Sequence, residues 1–367
     1  MRHEYISRNT AKRIYIIVVL FMLLTLLTAC NYSKPIENGV QITDMLGRTV
    51  TIPADPQRIA GLDPFAGQVI IMFGYGDRMM ATVGGVKRDL LLQSMCPELV
   101  NAANVKEEGA INAEQLLSLD IDLIFIKGEV YQKTSEREKL DKLGIPYLVI
   151  DYSSMEEQCN AAKLIGEAFG KYEKAESYVK YYQDTIKKIS ELTSAIPDKE
   201  KPSLYHSINI AIRTDTNGSL GAEWIAVTGA KNVSLGASLL FGEKNYNTTL
   251  EEIFVWNPDI IICNESGVNE YMLSDSKWLG LRAVREKRVY QIPIGVSRMG
   301  HPNSIETPLA IWWLADLLYP EYMTGFDFRQ ELKDFYRNFF DYIVDEETID
   351  NIISGKGIRT SGVSSDN

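Results

Sequence analysis

Two spacings of apolar residues alternate along this chain. Short crowded runs at 48–52, 58–62, 80–83, 122–126 and 147–150 predict strands. Between them, 67–73, 113–119 and 135–143 repeat apolar residues at the three- and four-residue steps of a helix. After Pro202 the alternation resumes, with strands predicted at 204–210, 259–263 and 288–292 and helices at 222–227, 250–256 and 278–284. Strands alternating with helices predict a mainly parallel sheet covered by helices, here twice over: the fold class is α/β, in two lobes.

Between the lobes, residues 172–193 place Tyr178, Tyr182, Ile186, Ile189 and Leu192 at steps of four and three, with Lys, Glu and Gln on the other face and no Gly or Pro. One continuous helix of about 20 residues and ~30 Å is predicted. Such a strut leaves little scope for wide hinge closure. The chain then divides into a leader (1–29), a tether (30–40), an N-terminal lobe (41–170), the linking helix (171–196), a C-terminal lobe (197–354) and a flexible tail (355–367).

The leader sets the compartment. Arg2, Arg8, Lys12 and Arg13 precede an unbroken run of apolar residues and threonine from 14 to 28. That is short against the roughly 20 residues of a membrane span and normal for a signal-peptide core. It ends in Leu27-Thr28-Ala29-Cys30, which resembles a bacterial lipobox. The resemblance implies a lipid on Cys30 and a mature chain held at the extracytoplasmic face of the cell membrane. Removing residues 1–29 leaves 34 basic and 48 acidic side chains, a net charge of −14. Such a surface excludes nucleic acid as a partner. Three further cysteines, Cys96, Cys159 and Cys263, without a CxxC spacing, do not make a disulfide framework.

One supersecondary unit occurs twice. INAEQLLSLDIDLIFI (111–126) is echoed 137 positions later by TTLEEIFVWNPDIIIC (248–263), so that Asn112, Glu114, Leu116, Leu117 and Asp122 fall on Thr249, Glu251, Ile253, Phe254 and Asp259. Asn112 and Thr249 can cap their helices, and each glutamate sits in a first turn, where the dipole favours a carboxylate. That explains a glutamate, but less well the same register in both lobes. If both helices start at equivalent edges, the carboxylates face one side of the molecule and can engage a two-fold partner.

These residues carry a family resemblance. The layout, from ITDMLGRTVTIPADPQRI (42–59) through the duplicated units to FDFRQELKDFYRNFFDY (326–342), resembles the helical-backbone class of bacterial ABC-importer substrate-binding proteins, those for iron-siderophores, haem and cobalamin. The resemblance implies two Rossmann-like lobes bridged by one long helix, a shallow ligand cleft between them, and one glutamate per lobe, here Glu114 and Glu251, meeting arginines of a permease dimer that works with its ATPase. It implies no intrinsic cofactor. The mature chain has only His206 and His301, whereas a bare divalent ion needs several N/O donors. A small-molecule metal chelate, an iron chelate above all, fits better; haem, a corrinoid or a nickel complex are the alternatives.

In a parallel α/β lobe the ligand loops follow the strands. The richest is PIGVSRMGHPN (293–303), with Arg298 and His301. His301 can ligate an open iron position or simply hydrogen-bond locally ahead of the next helix. Arg298, Arg213 and Arg88 can pair with anionic oxygens, and Tyr131, Trp224 and Tyr271 can wall an aromatic cleft. His206, on an apolar strand, reads as a buried histidine. No G-x-S-x-G, H-E-x-x-H or P-loop occurs, and Gly74-Tyr75-Gly76 lacks the third glycine of a dinucleotide loop, so no catalytic residues are expected.

Overall fold

The computed structural model describes residues 38–107, 109–242 and 245–356. The leader, Cys30 and the end of the tail lie outside the described residues. The N-terminal lobe holds five parallel strands in the order Ala103–Asn104, Met79–Thr82, Ile59–Gly61, Leu123–Lys127, Tyr147–Ile150. The C-terminal lobe holds four parallel strands in the order Lys231–Asn232, Ser203–Ser207, Ile260–Cys263, Val289–Gln291. Leu123, Ile124, Phe125 and Ile126 are all buried, as a strand covered by helices on both faces requires.

The run predicted at 48–52 is corrected. Thr49–Pro53 pairs antiparallel with Gly39–Thr43, with Val40 opposite Ile52, and joins no parallel sheet. Only Ile42 and Ile52 are buried, the one-sided alternation of a hairpin. Asp44 closes its turn, accepting from the backbone N–H of Leu46 (3.1 Å) and Arg48 (3.0 Å). Of the stretch predicted as helix at 278–284, only the end is helical, within Arg282–Arg285. A helix the apolar spacing did not disclose, Met155–Ala168, opens on a capping box: Ser154 Oγ accepts from Glu157 N–H (3.2 Å), and Glu157 accepts from Ser154 N–H (3.1 Å).

The linking helix runs Tyr172–Ser194 and buries Ala175, Tyr178, Val179, Tyr182, Thr185, Ile189 and Thr193 along one face. That face is clamped from the C-terminal half. Tyr178 donates to the Ile305 carbonyl (2.8 Å), Trp312 Nε1 to Thr185 (3.1 Å) and Tyr181 to Glu331 (2.7 Å). One apolar core runs through Phe65, Val69, Tyr178, Tyr182, Trp224, Ile311 and Tyr336, so the lobes share packing and not only a connector. Reorienting them means breaking that core. Scattering profiles with and without bound solute are therefore expected to superimpose; a contraction of several ångströms in radius of gyration would show that the core parts on loading.

Candidate ligand-binding cleft

The loop 293–306 follows the C-lobe strand Val289–Gln291 and bonds N-lobe residues Gln68, Lys127, Tyr152 and Gln158. Ile294 and Arg298 form a bridge, Met299 N–H bonds the Pro293 carbonyl (3.1 Å), and Ser304 N–H bonds the His301 carbonyl (2.8 Å). The loop is pinned from beneath by Glu306, which is fully buried. Its carboxylate accepts from Val296 N–H (3.0 Å), Ser297 N–H (3.0 Å), Ser297 hydroxyl (3.2 Å) and the Tyr336 hydroxyl. Gly295 is required there, because a Cβ would lie 2.0 Å from Glu306 Oε1.

Burial pushes the Glu306 carboxyl up to about 7, against the lowering effect of its donors. The folded protein thus keeps a proton that an exposed glutamate releases near 4.5. This group's contribution to stability is complete below that value and is lost as pH rises through about 7. Chemical unfolding is expected to show a loss on the order of 3 kcal/mol across that window from this group. Glu306→Gln should remove the slope and lower stability at pH 5 by roughly 1–3 kcal/mol, since an amide N–H₂ then faces the Ser297 N–H. An unchanged slope in the variant would assign the titration elsewhere.

Arg298 is mostly buried, and its Nη1 bridges Asn209 Oδ1 (2.5 Å) and Glu265, joining the loops that follow two C-lobe strands. His301 is half-buried; its Nδ1 accepts from Asn303 N–H (3.3 Å), the local bond weighed above as the alternative to ligation. Asn303 reaches the other lobe. Its Oδ1 lies 3.3 Å from Lys127 Nζ and 3.0 Å from the Tyr152 hydroxyl, and its carbonyl accepts from Gln68 (3.1 Å). Gln158 bonds the Pro302 carbonyl (2.8 Å).

On the N-lobe wall, Asp63 caps the helix Pro64–Met72 and accepts from the Tyr152 hydroxyl (3.0 Å). Lys127 Nζ stands 4.0 Å from the Tyr152 ring centre, and Lys106 Nζ donates to the Leu62 carbonyl (3.2 Å). Burial lowers the Lys106 pKa; Asp63 and Glu129 oppose that, and Lys133 and Lys127 add to it. Neither Lys106 nor Lys127 makes an ion pair among the described residues. Sequence reasoning missed both. Lys127 had a signal, as a charge ending a buried strand; Lys106 had none.

The other expected contacts scatter. Arg213 is half-buried in a bridge to Asn247, where burial lowers its pKa, and Arg88 is exposed after the helix Gly84–Lys87. One aromatic expectation is corrected. Trp224 is 0% exposed and donates from Nε1 to the Gly300 carbonyl (3.0 Å), so it supports the loop from below and walls nothing. Tyr131, in the helix Gly128–Gln132 that follows the strand Leu123–Lys127, is half-buried with Arg48 over its ring (4.6 Å) and Tyr147 tilted against it (6.3 Å). Tyr271 is exposed beside Trp278 (6.3 Å). His206 is buried with Nδ1 2.8 Å from Asp215 and its ring edge-on to Trp224. No three His, Cys, Asp or Glu side chains among the described residues meet at metal-binding distance.

The duplicated units fold alike. Asn112 accepts from Gln115 N–H (3.0 Å) and Thr249 from Glu252 N–H (3.2 Å), opening Ala113–Ser118 and Leu250–Trp256. Leu116 and Ile253 are fully buried anchors, and Asp120 (φ 49°) and Asn257 (φ 40°) both follow in left-handed backbone. Asp122 and Asp259 each bind the backbone entering the first strand of their lobe, at Gln57 (2.8 Å) and Ser203 (2.7 Å). Glu114 and Glu251 are exposed and make no ion pair among the described residues.

Residues 59–294 match the periplasmic binding protein family, and the chain belongs to it. The shared long helix and paired sheets put it in the helical-backbone class of ABC-transporter solute-binding proteins. It is 24% identical over 343 residues to the molybdate-binding protein MolA of Haemophilus influenzae, covering 86% of this chain and 96% of that one. The solved structure of MolA with molybdate superposes with a TM-score of 0.73 at 21% identity, covering 83% and 99% of the two chains. The Bacillus subtilis ABC transporter substrate-binding lipoprotein YvrC is 27% identical over 77% of this chain and 86% of its own. Helicobacter pylori CeuE, solved with Ni-His, has a TM-score of 0.69 at 22% identity over 86% and 99%. No described helix is long and apolar enough to cross a membrane.

Proposed function

We propose that this chain is the extracytoplasmic solute-binding lipoprotein of an ABC importer and that it carries a metal already wrapped in an organic chelator, ferric siderophores foremost. The observation that supports this most is the loop carrying Arg298 and His301, which through Asn303 meets Lys127 at the carboxyl end of a buried N-lobe strand, with Lys106 in electrostatic reach of Lys127. Fixed N–H donors suit the oxygen surface of a chelate, and one imidazole suits a single open position on its metal. CeuE, solved as a Ni-His complex, is a relative seen with a metal and an organic partner. A second reading, a small oxyanion, draws on the same donors and on the likeness to MolA over 86% of this chain.

The test is a melting series on purified mature protein with ferric citrate, a ferric catecholate, nickel–histidine, haem and molybdate. Saturation at about 100 times Kd stabilises by ~2.7 kcal/mol, which raises Tm by roughly 5 °C or more. A shift with a ferric chelate is the expected result. A shift with molybdate alone would favour the oxyanion, and no shift with any would remove the cleft as the solute site. Retention at the membrane is assigned to a lipid on Cys30, so Cys30→Ser should release a normally folded protein; full retention of that variant would refute the lipobox.

A further inference from the structure

Lys127 ends a strand whose other residues, Leu123 to Ile126, are buried, and its ammonium bonds no carboxylate among the described residues. What it bonds is the neutral amide oxygen of Asn303, at 3.3 Å. The same oxygen lies 3.0 Å from the Tyr152 hydroxyl. That hydroxyl has one proton and two acceptors, because Asp63 Oδ1 is also 3.0 Å away. Burial, and Asp63 after it, raise the Tyr152 pKa well above the ordinary tyrosine value, so the proton stays on the oxygen. A carboxylate is the stronger acceptor, which leaves Asn303 held chiefly by Lys127.

The acidic side chains around this point are engaged or turned elsewhere. Asp63 accepts from Phe65 N–H (2.9 Å) and Ala66 N–H (3.2 Å), Asp151 lies against Gly128, where a Cβ would fall 2.4 Å from it, and Glu129 is exposed. The backbone that carries Asn303 is fixed. Gln158 holds the Pro302 carbonyl (2.8 Å), Gln68 holds the Asn303 carbonyl (3.1 Å) and accepts from Ile305 N–H (3.2 Å), and Tyr178 holds the Ile305 carbonyl (2.8 Å). Asn303 can therefore leave Lys127 by turning its side chain about its own torsions, with the loop in place.

We propose that Lys127 and Tyr152 form a subsite for an anionic oxygen of the solute and that the Asn303 amide oxygen is its built-in competitor, covering the subsite until a solute displaces it. The inference rests on the reading of this chain as a solute-binding component, and it narrows the solute to one that presents a charged oxygen, either on a chelate or as a free oxyanion. An ammonium bonds a charged oxygen more strongly than an amide oxygen, so the exchange runs toward such a solute. A solute with only neutral acceptors gains nothing from it, which makes Asn303 a selectivity element as well as a cover.

An ordinary hydrogen bond keeps the subsite covered for roughly 80–90% of the time, and apparent affinity scales with the uncovered fraction. The experiment is calorimetric titration of purified mature protein with two probes, ferric citrate and molybdate. Asn303→Ala is expected to bind about five- to tenfold more tightly than wild type. Asn303→Asp, which sets a carboxylate on Lys127, and Lys127→Met are each expected to bind at least tenfold more weakly. In the Lys127→Met background, Asn303→Ala should change affinity by less than about twofold, because the contested donor is gone. A gain on Asn303→Ala with ferric citrate alone supports the proposal through the oxygens of a chelate, and a gain with molybdate alone supports it through a free oxyanion. If wild type takes up a probe and Asn303→Ala binds it equally or more weakly, Asn303 is a solute contact or a brace, and the inference fails while the importer reading stands. An equal gain in the Lys127→Met background, or a Lys127→Met protein that binds like wild type, overturns it in the same way. If neither wild type nor any variant takes up either probe, the cleft fails as the solute site and this inference fails with it.

Discussion

Alanine at both Glu114 and Glu251 is expected to abolish solute uptake while leaving solute affinity within about twofold of wild type. Both side chains are exposed, lie in the first turns of their helices, and have no ion pair among the described residues. Within their own helices they complement the dipole, worth about 0.3–1 kcal/mol each, so Tm should fall by only a degree or two. Against a permease arginine at a desolvated interface, each is worth a few kcal/mol. Two kcal/mol per site is roughly 30-fold, and the pair together ~1,000-fold, below the floor of most uptake assays. Because the units are equivalent, each single substitution should produce a partial loss of similar size. The comparison that decides is solute affinity in solution against uptake by reconstituted transporter. Parallel losses in both would put the glutamates in the solute site or the fold.

What the sequence disclosed and what it hid divide along a physical line. Continuous apolar runs such as 122–126 and 147–150 are strands because burial on both faces leaves no polar position, and they appear at Leu123–Lys127 and Tyr147–Ile150. The linking helix was legible because its stripe holds one period for over twenty residues. Met155–Ala168 was not, since its polar residues and internal Gly166 blur the stripe; its start was nevertheless written in the Ser154…Glu157 box. Strands of two residues, such as Ala103–Asn104 and Lys231–Asn232, carry too little pattern to register.

The cleft was legible only in part. The loop 293–303 announced itself by composition, but what holds it is a buried Glu306 ten residues from Val296, and Gln68 and Gln158 of the other lobe, more than a hundred residues away. Trp224 is the instructive case. A tryptophan after a strand reads equally well as a cleft wall or as core, and only tertiary packing chooses.

Its burial makes Trp224→Ala the substitution expected to damage stability and solute binding together. The ring is fully buried, sits edge-on to His206 at 5.8 Å, and occupies the space a side chain at Gly300 would need: a Cβ there would fall 2.6–2.8 Å from the indole. Gly300 has φ +72°, and its carbonyl takes the indole N–H. The turn that follows Arg298 and precedes His301 is therefore folded down onto this one side chain. Removing it costs about 3–5 kcal/mol from lost transfer and the cavity left behind, roughly 10 °C in Tm for a protein of this size. It also frees the Gly300 carbonyl, and solute affinity should fall more than tenfold as Arg298 and His301 lose their support. Trp224→Phe keeps most of the packing and loses the hydrogen bond, so about 1 kcal/mol is expected. Gly300→Ala alone should cost at least ~1–2 kcal/mol for the left-handed backbone, plus the overlap with the indole. Combined with Trp224→Ala, its methyl enters the vacated space, so the two losses should sum to less than their total, with a coupling of 0.5 kcal/mol or more. Additive losses, or a Trp224→Ala protein that melts early yet binds solute normally, would mean that the loop is held from elsewhere and that Trp224 serves the core alone.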